Sequence, residues 1–172
     1  MAYEKKDGRI RKGIGTGITA GIIFGIVEMA ASAAAGSSPI LPARMAASVV
    51  LGSSALETVS SGTALVVGTI VHLVLSAAFG AVYALIVSRM SRETRVSTGR
   101  EAVGGVVYGT LLWLVNFQVI AALLYPWFLE PPQFPQMAMH ALFYGLPLGI
   151  LQARMEQRTL EVVEEPVQRR AA

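Results

Sequence analysis

Few side chains in this chain could hold a proton, a cation or a metal. Within its apolar stretches these are Glu28, His72 and His140, with the neutral amides Asn116 and Gln118 as companions. A carboxylate and two imidazoles suit several kinds of chemistry. They can hydrogen-bond one another across helices and fix a bundle's geometry, or handle protons or a small ligand in a shared pocket. Two histidines on different segments could also ligate a haem b, and with the glutamate they could hold one metal ion. All are far apart in the chain, so only the fold can bring them together. Other chemistry finds no carrier: there is no cysteine, no HExxH pair, no P-loop and no G-x-S-x-G elbow. Gly13 and Gly15 look like half a dinucleotide fingerprint, but no strand precedes them. The serine pairs at 37–38, 53–54 and 60–61 read as loop and cap residues. The chain is therefore expected not to be an enzyme, with no catalytic residue and no metal site assigned.

Composition indicates what must position these groups. Of 172 residues, 53% are hydrophobic and 15% charged. A soluble domain carries roughly 25% charged residues, so this chain lacks the polar surface to cover a globule of its size. Disorder and a disulfide-stapled module are excluded on the same grounds. The expected fold is all-α: an integral membrane four-helix bundle. Its apolar runs are Gly13 to Ala35, Gly62 to Val87, Ala102 to Tyr125 and, shortest, Pro135 to Leu151.

Thirteen of the fourteen lysines and arginines fall before the first run, between the second and third, or after the fourth. Arg44 alone lies elsewhere. By the positive-inside rule this puts both termini and the middle loop in the cytoplasm of a bacterial-type inner membrane. The net charge of +3 is thus an orientation signal, and no nucleic-acid partner is expected. Three parts follow: a basic cytoplasmic terminus (1–12), a four-span transmembrane domain (13–153) and a polar cytoplasmic tail (154–172), solvated or disordered. The alanines at 33–35 after an apolar stretch also suit a signal-peptide cleavage site, but the stretch is long and contains Glu28, which favours an anchor.

In the first outer loop, Pro39 and Pro42 stop one helix. Pro42 also suits the first turn of a short interfacial helix through Met45, Val49 and Val50. Gly17, Gly21, Gly25 and Glu28 share their 4-4-3 spacing with Gly105, Gly109, Trp113 and Asn116. Each set precedes a proline-bearing loop and then a run with one histidine early in it. His72 is followed by Ser76, Gly80 and Ala84, and His140 by Gly145 and Gly149. The chain thus reads as two parallel helical hairpins related by a pseudo-twofold axis. Gly13, Gly17, Gly21, Gly25, Ser76, Gly80, Gly105, Gly109, Gly145 and Gly149 are the expected helix-packing positions, with part of that surface available to a partner.

Counting rise along the spans puts Glu28, His72 and His140 in the outer half, where with Asn116 they could form one outward polar pocket. Gly17 and Gly21, the segment Pro39 to Pro42, the set His72, Ser76 and Tyr83, and a fourth-run histidine after Pro126 to Pro135 resemble the YagU-like family of small bacterial inner-membrane proteins. The resemblance spans residues 13–153. It implies a four-span membrane protein and supplies no reaction. The expected role is a non-catalytic accessory or stabilising subunit of a larger, possibly bioenergetic, membrane complex. Its partners would be the lipid bilayer and either other subunits or a second copy. The alternatives are a small transporter or channel using Glu28, His72, Asn116 and His140, and a subunit binding haem b through His72 and His140.

Overall fold

A computed structural model describes the backbone of residues 2–171 and the side chains of residues 8–160. Every regular element among the described residues is helical. The chain runs α1 (Ala2–Ala34), α2 (Leu41–Leu51), α3 (Ser54–Glu57), α4 (Ser61–Val87), α5 (Arg92–Val96) and α6 (Thr98–Trp113). The helical path of α6 continues through a π-helical segment, Leu114–Ala121, into α7 (Ala122–Leu124). A 3-10 turn (Pro126–Leu129) precedes α8 (Gln133–Met139), a second π segment (His140–Gly145) and α9 (Leu146–Ala171).

Three stretches, Gly8–Ala34, Ser61–Val87 and Thr98–Leu124, are long and apolar enough to cross a membrane. The run expected as a fourth span lies in the first half of a longer helical path that becomes polar toward its end. The boundaries expected at 12/13 and 153/154 are changes of composition inside continuous helices. Hydrogen bonding along a helix does not stop where side chains turn polar, so the tail expected to be solvated or disordered is helical in its backbone to Ala171.

The third stretch starts earlier than its apolar residues suggest. Ser97 Oγ accepts from the Arg100 amide at 3.4 Å and caps α6, so Glu101 falls in the first helical turn. Glu28 is therefore not the only acid in the long helical stretches: Glu101 joins it and is 1% exposed.

α1 and α4 run antiparallel, with Gly17 against Ser76 and Gly80 and Gly13 against Gly80 and Ala84. A Cβ at Gly17 or Gly80 would overlap backbone of the other helix, so both positions require the hydrogen side chain. α6 pairs with the last helical path in the same manner: Glu101 and Gly105 lie against Gly149, Gly105 against Gly145, and Gly109 against His140 and Ala141.

The two pairs correspond except for one residue. His72, Ser76 and Gly80 are four apart, whereas His140 and Gly145 are five apart. The i→i+5 hydrogen bonding of the π segment His140–Gly145 absorbs the extra residue and keeps histidine and glycines on one face. Pro147 follows after Leu146, and the widened turn before it relieves the clash a proline ring makes with the carbonyl four residues earlier.

Three tyrosines join the pairs. Tyr144 donates to the Ser76 carbonyl at 2.8 Å, Tyr108 to the Phe79 carbonyl at 2.8 Å, and Tyr83 to Glu101. Phe24, Tyr83, Val87, Tyr108, Tyr144 and Leu148 form the core between them. At one end of the molecule the basic segments meet: Lys12 donates to Thr159 at 2.6 Å, Gln157 donates to the Val96 carbonyl at 2.7 Å, and Arg95 pairs with Glu156 at 3.5 Å.

Candidate functional site

At the opposite end, α2 forms as Pro42 suggests, with that proline in its first turn. It is more than a surface helix. Ala47 and Ser48 are buried, and the Ala43 backbone rests on Gly68 of α4. Arg44 holds the following loop by donating to the carbonyls of Ala55 at 2.8 Å and Val59 at 2.9 Å and to Ser61 Oγ at 3.0 Å. The lone arginine outside the basic segments therefore has a structural task.

Between α1, α2 and α4 lies a cavity of about 190 Å³. Its polar lining is Glu28 from α1 and Thr69 and His72 from α4, among apolar neighbours including Ile26, Met29, Ala46 and Leu73. The helical rise brings Glu28 and His72 to this level, and Gly21 and Gly25 leave room for the imidazole. His72 Nε2 lies 2.8 Å from the Gly21 carbonyl. A carbonyl only accepts, so Nε2 carries the hydrogen in this contact. Glu28 is half-buried, and its carboxylate has no hydrogen-bond or ion-pair partner among the described residues.

His140 lies outside this cavity. Its Nδ1 donates to the Gln136 carbonyl at 2.8 Å, and its ring packs edge-on against Phe24 at 4.7 Å and Phe117 at 5.1 Å. The other side of the relationship is His72, which stacks on Phe24 at 5.7 Å. The two histidines thus approach one another with a phenyl ring touching both. Asn116 sits half-buried in the π segment Leu114–Ala121, away from the cavity lining, and Gln118 donates to Gln133 at 3.1 Å. Of the four expected site residues, the fold unites Glu28 with His72 in one cavity, sets His140 across Phe24, and leaves Asn116 apart.

A bis-histidine haem does not fit this donor set. Axial ligation needs two imidazole nitrogens facing a porphyrin-sized gap. Here Phe24 contacts both rings, and His72 Nε2 is engaged by Gly21. Among the described residues no three His, Asp or Glu side chains gather closely enough to hold a metal ion.

A second polar group was not signalled by the apolar runs. Tyr83 OH donates to Glu101 Oε2 at 2.9 Å and also reaches the Glu101 carbonyl at 3.2 Å. Nearer the basic end, Thr16 Oγ1 donates to Gln152 Oε1 at 3.3 Å. The signal that could have located Glu101 is Ser97 as a helix cap, which moves the helix start ahead of the apolar run. No protein family, curated protein or solved structure matches the chain.

Proposed function

We propose that this chain is a non-catalytic membrane protein with four crossings, arranged as two parallel hairpins, and that it serves as an accessory or stabilising subunit of a larger membrane complex. A bioenergetic complex in a bacterial-type inner membrane is a fitting host, with both termini cytoplasmic. The meeting of the basic segments at one end supports the orientation. The glycine-lined pairing of α6 with residues 140–149 supports a fourth crossing beside the third. The resemblance to YagU-like proteins belongs with this reading.

The observation that carries the subunit role is the sparse cover of the third helix. Of the apolar window in Thr98–Leu124, 11% is buried, against 28% in each of the other two stretches. Val103, Val107, Leu111 and Leu114 form an exposed stripe on the side away from Gly105 and Gly109. The glycine stripes themselves are occupied inside the fold, so a partner would meet this aliphatic face. Gentle detergent extraction followed by native mass analysis tests the role: a complex with a second kind of chain is expected, and monomer or homo-oligomer alone overturns it.

One observation favours a second reading, a small transporter: Glu28 and His72 share a cavity. Glu28→Gln and His72→Ala should then change flux in reconstituted vesicles, and unchanged flux counts against it.

A further inference from the structure

The Glu28 cavity, which the transporter reading also uses, has a chemistry more specific than either reading states. Its carboxylate is half-buried and unpartnered among the described residues, and the His72 imidazole that shares the cavity directs Nε2 at the Gly21 carbonyl. A charge in such a place is expensive unless it is paired or the carboxyl takes up a proton. The walls favour one type of partner over a hard metal cation. A hard metal cation needs about six oxygen ligands. The polar side chains of the cavity are Glu28, His72 and, at its exposed edge, Thr69; only two of them carry oxygen, and the rest of the lining is mostly apolar. A primary ammonium needs less: one carboxylate for the charge, a hydroxyl for a second N–H, and apolar walls for its carbon body.

The volume of about 190 Å³ equals the share of roughly six liquid waters, enough for an ammonium and a few carbons. Ile22 and Ile26 line the cavity and are themselves exposed on the outer surface of α1, so the cavity borders the face that meets lipid. We infer that the cavity between α1, α2 and α4 binds a primary ammonium group carried on a short apolar body, with Glu28 as its counter-ion and Thr69 as its second acceptor. The group could reach the site on a phosphatidylethanolamine headgroup or on a free alkylamine.

The experiment uses the full chain in detergent micelles and in nanodiscs. Hexylammonium binding is followed by titration, with hexanol as the uncharged control. Hexylammonium should bind the wild type about tenfold or more tightly than it binds Glu28→Gln, the loss expected for one charge-assisted contact. Ala46→Leu, which fills the cavity from α2 and keeps the carboxylate, should weaken binding as well. Helical circular dichroism of each variant shows whether it is folded, and a variant that unfolds is replaced by Thr69→Val, for which weaker binding is again expected.

Native mass analysis from nanodiscs of equal phosphatidylethanolamine and phosphatidylcholine separates the sources. Retention of phosphatidylethanolamine by the wild type and its loss in Glu28→Gln assigns the lipid headgroup. Hexylammonium binding without lipid retention assigns a free amine. Equal hexylammonium affinity in wild type and Glu28→Gln, or hexanol binding as tightly as hexylammonium, overturns the inference.

Discussion

The indole Nε1 of Trp127 donates to Ser48 Oγ at 2.7 Å, joining the turn after the third long helical stretch to α2, seventy-nine residues earlier. Ser48 is fully buried and passes its own hydrogen to the Met45 carbonyl at 2.6 Å. The contact ties the two interhelical loops at that end, so α2 is held from both sides, by Trp127 and by Arg44.

Ser48→Ala should therefore destabilise the fold by about 1–3 kcal/mol, because it leaves the indole N–H without its acceptor. Thermal unfolding in detergent measures the loss. Trp127 emission should shift in the folded state, and Trp127→Phe, which removes the donor as well, should not add the full cost of a second lesion when combined with Ser48→Ala.

Two glycines on α1 test the close helix contact. Gly17→Ala would press a methyl into the Ser76 carbonyl and Gly80, and should cost about 1–3 kcal/mol. Gly15 has open space where its Cβ would go. Gly15→Ala should be neutral or stabilising by up to about 1 kcal/mol, since alanine is the better helix former. Equal effects at the two positions would contradict the packing.

The buried carboxyl at Glu101 depends on Tyr83. Tyr83→Phe removes its donor and should cost about 1–3 kcal/mol, whereas Glu101→Gln keeps an acceptor for the phenol and should cost less. Unfolding of both single variants and of the double variant gives the coupling between them, which should be well above the few tenths expected of independent sites.

The π turn at His140–Gly145 predicts an unusual tolerance. Deleting Leu142, which is exposed, should convert the turn to α-helix and restore the four-residue step seen between His72 and Ser76. Deleting Val74, also exposed but in a regular stretch of α4, should shift every contact on one side of it. Comparison of folded yield and melting temperature should show the Leu142 deletion retained and the Val74 deletion lost.

Much of this was readable from residue types. Pro42 marked the start of α2, because a proline without an N–H suits a first turn. The four-residue glycine steps marked the faces that pair, and helical rise placed Glu28 and His72 at one level. Other features depend on information outside a single segment. The five-residue step from His140 to Gly145 was visible, yet its meaning came from the backbone adopting a π turn. Phe24 looked like one more apolar residue until two imidazoles were found against it. Glu101 lay one residue outside an apolar run, and its burial follows from Gly149 on α9 and a tyrosine on α4. The tyrosine hydroxyls bond to backbone carbonyls of other helices, and such acceptors leave no trace in side-chain pattern.

The unequal hydrogen-bonding of the two helix pairs has a mechanical consequence. The stretch Ser61–Val87 is regular α-helix, and Gly8–Ala34 beside it is the same. Both partners of the other pair contain π turns, the second followed two residues later by Pro147. Bending in long helices concentrates at such places. The first pair is then the stiff beam of the molecule and the second its compliant one, so a lateral load from the bilayer would be taken up by flexing near Leu114–Ala121 and His140–Gly145 while the walls around Glu28 keep their shape.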